Sequence, residues 1–290
     1  MRPGCGESPE RFSPEAQSIL MRFLLMPFQL AGTAFAFALF GLGGIGFALL
    51  VTPVLHLSSK SAEENRRRAR RVVRWWFGKF VAVITALRLV RIEVKNPRAL
   101  MEPGAILACS HPSLIDVVCL LAIVPEATTI VKAGLLKNIF TRAPIRAAGY
   151  VSNAEGPDAV EKLARELEKG TTFVIFPEGT RTPSAFPEGK CPKLHRGAAQ
   201  VALHAGRPIT PVRITARPRW LTKDRGWWHL PEKPMTLTFE ALPPIPAQPY
   251  LDLYNSTPRL AARRLTLALG KALFTEIPQP NPQDHDRTDP

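Results

Sequence analysis

Residues 105–123 read AILACSHPSLIDVVCLLAI. Ala105–Cys109 is a short apolar run between Pro103-Gly104 and His111-Pro112, the form of a strand buried on both faces. Ser113 to Ile123 continues in a helical pattern, so the stretch reads strand, polar loop, helix. The same arrangement recurs downstream. Ala159–Lys169 is an amphipathic helix ended by Gly170, and it leads into the strand Thr172–Phe176 and the polar turn Pro177-Glu-Gly-Thr-Arg-Thr182. Arg91–Lys95, Thr128–Lys132, Ile209–Ile214 and Met235–Phe239 add strands. Gly197–Ala205 adds a small-residue helix, and Thr257-Pro258 opens a last one running to about Glu276. Strands alternating with helices imply an α/β domain over residues 90–276, one sheet with helices on both faces. Residues 277–290 are polar and proline-rich, the composition of a disordered tail.

Upstream of this domain the texture differs. After an N-terminal segment, residues 1–22, comes an uncharged stretch of 37 residues, Phe23–Ser59. Its most apolar part, Leu30–Val51, would span about 33 Å as a helix, enough for a hydrocarbon core of about 30 Å. The run is too long and begins too late for a signal peptide, and an arginine cluster follows it. A membrane-inserted element over residues 23–59 is the expectation. Gly41-Leu-Gly-Gly-Ile-Gly46 in mid-run, with Pro27 and Pro53 near the ends, leaves open a straight helix or a bent helical hairpin. Six arginines between Arg66 and Arg74 set the C-terminal side in the cytoplasm, at the cell (inner) membrane. Residues 60–89 mix aromatics with spaced cations and read as a basic interfacial helix on anionic lipid.

The charge balance fits that assignment. The chain has 38 Lys and Arg against 24 Asp and Glu, net +14, and the first 100 residues carry 15 of the basic and 6 of the acidic side chains. A nucleic-acid binder would share the charge but not the strand-end loops, so no nucleic-acid partner is expected. The four cysteines form no C-x-x-C pair and have no His at ligand spacing, which excludes a structural zinc site and a disulfide scaffold, and no metal is expected.

In open α/β sheets ligands collect beyond the carboxyl ends of strands. There the first loop offers His111 and, one turn into the helix, Asp116. Side chains on a helix lean toward its N-terminus, so the carboxylate can reach back to the imidazole and leave the second ring nitrogen to take a proton. Ser113-x-x-Asp116 is equally a capping box. The second loop, Glu178-Gly179-Thr180-Arg181, offers backbone N–H groups, hydroxyls and a guanidinium, the chemistry of an anion site. Neither Ser110 nor Ser113 has an activating context, and there is no G-x-S-x-G elbow for a hydrolase.

Together these blocks resemble the glycerolipid (lysophospholipid) acyltransferases of the lysophosphatidate acyltransferase type. Ser110–Asp116 is similar to that family's His-x4-Asp block and Phe176–Thr182 to its phosphate-binding block. Lys193–Gly197 is similar to the basic-Gly stretch that follows, and Pro208–Val212 to the late apolar block. The resemblance implies a glycerol-phosphate acyltransferase-like fold and acyl transfer in phospholipid biosynthesis, from a thioester of coenzyme A or acyl carrier protein to a lysolipid hydroxyl. It implies no bound cofactor. It makes His111 the general base, Asp116 its orienting partner, and Glu178, Gly179, Thr180 and Arg181 the holders of an acceptor phosphate. Lys132 matches a basic residue the family often has there, or is a solvated lysine. One departure stands out. In Gly149-Tyr-Val-Ser-Asn153-Ala154, Asn153 and Ala154 occupy the places of an expected acidic residue and arginine, with Arg146 nearby to compensate. The acceptor is therefore open between 1-acylglycerol-3-phosphate, a related or specialised lipid, and a silent lipid-binding role. Arg217–His229, rich in Trp and cations, reads as an interfacial anchor or as core tryptophans in a loop.

Overall fold

The structure is a computed structural model that describes residues 14–156, 158–183 and 191–274, with side chains from Met26. Most of the N-terminal segment and the tail expected at 277–290 lie outside the described residues. The chain runs through α1 (Pro14–Gly46), a π turn (Phe47–Val51), α2 (Thr52–Ser58), α3 (Ala62–Ala86), β1 (Val90–Lys95), α4 (Pro97–Leu100), β2 (Ile106–Cys109), α5 (Asp116–Ile123) and β3 (Ala127–Val131). It continues through α6 (Arg142–Ala148), β4 (Val151–Ser152), α7 (Asp158–Glu168), β5 (Thr172–Ile175), α8 (Gly197–Ala205), β6 (Ile209–Arg217), β7 (Met235–Ala241), α9 (Leu251–Ser256) and α10 (Pro258–Phe274).

Seven strands form one sheet in the order β1-β7-β6-β2-β5-β3-β4. Every neighbouring pair is parallel except β6 and β7, which are antiparallel. Helices cover both faces, as the alternation of elements implied. On one face Phe80 and Ile84 of α3 join Val118, Cys119 and Leu120 of α5. On the other, Leu163 and Leu167 of α7 pack with Val201 of α8 and Leu265 and Leu269 of α10. β2 lies between β6 and β5, and all four of its residues are buried, which puts the loop after it in mid-sheet.

The N-terminal run is one continuous helical rod to Ser58, and of the two expected forms the structure has the helix and not the hairpin. Pro53 lacks an N–H and its ring crowds the carbonyl four residues back, and a π turn accommodates both. There Thr52 donates its backbone N–H and, at 3.1 Å, its hydroxyl to the Phe47 carbonyl. The glycines are contact points, not a bend. A Cβ on Gly43 would fall 2.3 Å from the Trp76 ring, and one on Gly44 would fall 1.8 Å from the Phe140 carbonyl oxygen. Only glycine lets this helix come so close to α3 and to the segment before α6.

α3 starts at an N-cap, Ser61, whose hydroxyl accepts the Glu64 N–H at 3.1 Å. Its inner face, with Ala69, Val73, Phe80 and Ile84 buried, packs on α5 and α6. The arginine run therefore divides. Arg67, Arg71 and Arg74 are exposed beside Trp75 and Lys79. Arg70 is buried, paired with Glu166 at 2.7 Å and donating to the Ala148 carbonyl at 2.9 Å and the Thr171 hydroxyl at 3.0 Å. The helix read as purely interfacial is thus bolted to the domain by one of its own cations.

Candidate active site

The loop after β2 is fixed at both ends. Ser110 accepts the Ile214 N–H at 2.8 Å and donates its hydroxyl to the Ile214 carbonyl at 3.2 Å, so it ties β2 to β6. His111 donates its backbone N–H to Glu178 Oε1 and to Thr182 Oγ1, both at 3.0 Å. Thr182 in turn donates its hydroxyl to Glu178 at 2.6 Å and its N–H to the His111 carbonyl at 2.6 Å. The loops after β2 and β5 are therefore stitched together. The His111 ring stands against Phe176, ring centres 4.6 Å apart.

From this held position His111 Nδ1 meets Asp116 Oδ2 at 3.0 Å. The same oxygen accepts the Ser113 N–H at 2.7 Å. One carboxylate oxygen thus serves both readings of the Ser-x-x-Asp pattern, bracing the start of α5 and facing the imidazole. α5 begins later than expected, at Asp116, and the Ser113 hydroxyl makes no cap bond. Asp116 is fully buried, and burial pushes its carboxyl above the usual range, opposed by the His111 hydrogen bond, the His111 charge, the Ser113 N–H and the Arg181 charge. Burial likewise pushes the Cys109 and Cys119 thiols up, which suits packing and not nucleophilic attack.

His111 opens onto a cavity of about 920 Å³, which Gly179, Thr180, Arg181 and Lys132 also line. The structure therefore gathers all seven expected site residues at one place, five on the cavity wall and Asp116 and Glu178 behind it, each bonded to His111. Glu178 does not face the cavity. Its carboxylate is turned to the loop, where burial pushes it up and Thr182 and the His111 N–H pull it back. Arg181 donates from Nη1 to the carbonyls of Leu221 and Thr222 at 2.8 and 2.7 Å while it lines the cavity. Arg146, the suggested compensating cation, is exposed on α6 and is not on the wall. Asn153 is on it, and its side-chain oxygen accepts the Ala133 N–H at 3.0 Å, bracing the turn that carries Lys132.

The sequence reading missed part of this wall. His195 and Lys223 add nitrogen groups to the polar end. Gly179 sits at φ +63°, and a Cβ there would come within 2.9 Å of the His195 ring, so the turn and that ring are packed face to face. His195 lies within the Lys193–Gly197 stretch, whose composition was the available signal. Most of the rest of the wall is apolar, and the N-terminal helices and the domain share it, with Ala36, Phe40 and Phe47 of the α1 rod and Trp76, Phe77 and Phe80 of α3 facing residues such as Val118 of α5, Ile145 of α6 and Leu163 of α7. A polar end with a histidine base and an apolar body matches an amphiphile with a reactive head.

Comparison with known proteins agrees. A family model described as Acyltransferase matches residues 91–215. A 1-acyl-sn-glycerol-3-phosphate acyltransferase of Pseudomonas aeruginosa is 27% identical over 172 residues, covering 57% of this chain and 65% of that protein. A lyso-ornithine lipid O-acyltransferase of the same organism is 28% identical over 194 residues, covering 62% of this chain and 66% of that protein. The chain therefore spans just under two thirds of either relative. The crystal structure of the 1-acyl-sn-glycerophosphate acyltransferase of Thermotoga maritima has the same fold, with TM-score 0.56 and 19% identity, covering 86% of this chain and 98% of that one.

Proposed function

Because residues 91–215 are a domain of the acyltransferase family, we propose that this protein transfers a fatty acyl group from an acyl thioester to a hydroxyl of a lysolipid. The observation that carries this is the His111–Asp116 pair, 3.0 Å apart, at the polar end of a cavity whose body is apolar. Asp116 holds the Nδ1–H, so the lone pair of Nε2 accepts the proton of the acceptor hydroxyl as its oxygen bonds to the thioester carbonyl carbon. The tetrahedral adduct then collapses, the C–S bond breaks, and the thiolate takes the proton from the imidazolium. No acyl-enzyme is required, in keeping with Ser110 being committed to β6. Glu178 acts as a positioning residue for the histidine loop. Arg181, Lys132 and Lys223 supply positive charge for the acceptor head. The donor is an acyl thioester of coenzyme A or of acyl carrier protein.

The reaction belongs at the cytoplasmic face of the membrane. Met26–Ser58 is apolar enough to cross a bilayer, its most apolar 18 residues having a mean hydropathy of 2.3, yet its inner face is built into the domain through Thr33, Ala36, Phe47 and Leu55. Phe28, Phe35, Leu42 and Leu49 recur every seven residues on the outer face and are exposed. A rod packed lengthwise on a water-exposed domain fits one leaflet better than a perpendicular span.

A second reading of the acceptor follows from Asn153 and Ala154, which remove an acid and a cation from the second block, and from the relative named for a lyso-ornithine lipid. The test is the full chain in mixed micelles, offered lysophosphatidate and lyso-ornithine lipid with each donor type. Transfer to either, absent in His111→Ala, supports the assignment, and the preferred acceptor chooses between the readings. No transfer to either acceptor from either donor overturns it.

A further inference from the structure

We propose that the tip of the segment between β6 and β7, Trp227 and Trp228, is a second membrane contact that seats on an anionic phospholipid surface and steadies the catalytic wall. This rests on the reading of the substrate as a lipid, and goes beyond it by assigning a surface. The segment has a buried base and an exposed tip. At the base Trp220, Leu221 and Thr222 are buried. The Leu221 carbonyl accepts the Leu114 N–H at 3.1 Å and, with Thr222, the Arg181 guanidinium. Arg219 reaches across to the Pro183 carbonyl at 2.8 Å. The base is therefore bonded to both loops of the candidate active site.

At the tip, Trp227 is 36% and Trp228 55% exposed. Their positions are set. The Trp220 indole N–H donates to the Trp227 carbonyl at 3.3 Å, and the Trp227 and Trp228 rings meet edge to face at 5.9 Å. Gly226 leaves room for the Trp228 ring, which a Cβ would meet at 2.4 Å. Trp227 also touches Phe37 of α1, ring centres 5.7 Å apart, so the tip continues the exposed apolar face of the N-terminal rod. Lys223 and Arg225 are exposed around it, with Asp224 between them and the His229 ring beside Trp228. Paired indoles held outward among cations have the chemistry of the headgroup region, where the rings are half apolar and the charges meet lipid phosphate.

The experiment uses the full chain, bound to phosphatidylglycerol–phosphatidylcholine vesicles with or without bromine on the upper acyl chain. Subtracting the emission of Trp227→Phe/Trp228→Phe from that of the wild type isolates the pair. Strong quenching of that difference by the brominated lipid supports the contact, and equal emission from both vesicle types overturns it. A second arm replaces both indoles by serine. The KM for a lysolipid carried in vesicles should rise about tenfold, equivalent to about 1.4 kcal/mol. Turnover of a short-chain, water-dispersed lysolipid should stay within about twofold, since the base is intact. Equal loss on both substrates would make the pair structural and overturn the proposal. If the wild type acylates nothing, the function assigned above has failed, and the quenching arm still decides the contact.

Discussion

The cavity has a floor and a roof, and they are built on opposite plans. The floor is the pair of loops after β2 and β5, in which His111, Asp116, Glu178 and Thr182 share short polar contacts within two small segments. The roof is α1 and α3, joined to the domain over long sequence separations by glycine contacts, apolar faces and ion pairs to α7 and the residue after it. On the function proposed above, chemistry is concentrated in the floor, and the roof helps to contain an apolar chain. Damage to the floor should therefore stop turnover in a folded protein, whereas damage to the roof should register first as lost stability.

The widest separation of the two is expected from His111→Ala. Loss of a general base costs about 10²–10⁴-fold in rate, and the thermal midpoint should fall less than for a buried pair broken in the roof, because the backbone bonds of His111 and the Ser113 N–H on Asp116 stay in place. Acyl transfer above one tenth of the wild-type rate would remove His111 from the chemistry. Arg70→Ala is the converse. It leaves Glu166 buried beside an absent partner, and breaking such a pair costs about 3–5 kcal/mol, read as a lower denaturant midpoint. In the native protein burial pushes the Glu166 carboxyl up, and Arg70 together with Lys169 more than reverses this. The double variant Arg70→Met/Glu166→Leu should recover most of the loss. If it does not, Arg70 acts through Ala148 and Thr171 instead.

The same contrast decides how much could be read from the sequence. The floor was legible because strand, turn and helix signals lie beside the residues they position, as at Pro103-Gly104, His111-Pro112 and Gly170. The partner of the Glu178 side chain was not legible. The residue was expected among the holders of an acceptor phosphate, and only the register of β2 against β5 shows that its carboxylate takes the His111 N–H. The roof was read in composition and not in use. Gly43 and Gly44 are compatible with a bend or a close contact, and choosing needs Trp76 and Phe140, far along the chain. Nothing in the run Arg66–Arg74 singles out Arg70, whose partner Glu166 is 96 residues away. In the segment after β6 the tryptophans divide, with Trp220 in the core and Trp227 and Trp228 exposed, a split that composition does not show.

A pair of Gly→Ala changes sharpens the account of the roof. Gly44→Ala sets a methyl against a backbone carbonyl that has no rotamer to escape by, so overpacking of about 1–3 kcal/mol should outweigh the gain in helix propensity. Gly78→Ala meets nothing within 4 Å and should stabilise α3 by up to about 1 kcal/mol. Opposite signs in thermal midpoint are expected. Stabilisation by both would mean that α1 does not depend on glycine for its seat.

The smallest effect is expected at the outer edge of the roof, where Glu63 of α3 clasps Lys169 at 2.7 Å and Arg66 at 2.9 Å. Those two hydrogen bonds, first Lys169 and then Arg66, hold the Glu63 carboxyl down, from 4.5 to about 2. A carboxyl lowered in the folded state adds stability that is complete above the unfolded value, declines as the pH falls from 4.5, and is gone below about 2. The pair is largely solvent-exposed, so the contribution at neutral pH is only about 0.2–1 kcal/mol and shrinks with salt. Glu63→Gln should therefore lower the thermal midpoint slightly at pH 7 in low salt, and the difference from the wild type should narrow as the pH is taken toward 3. A gap that stayed constant across that range would mean the loss comes from packing or from the start of α3, and the roof would then hang on Arg70 and the glycine contacts without this clasp.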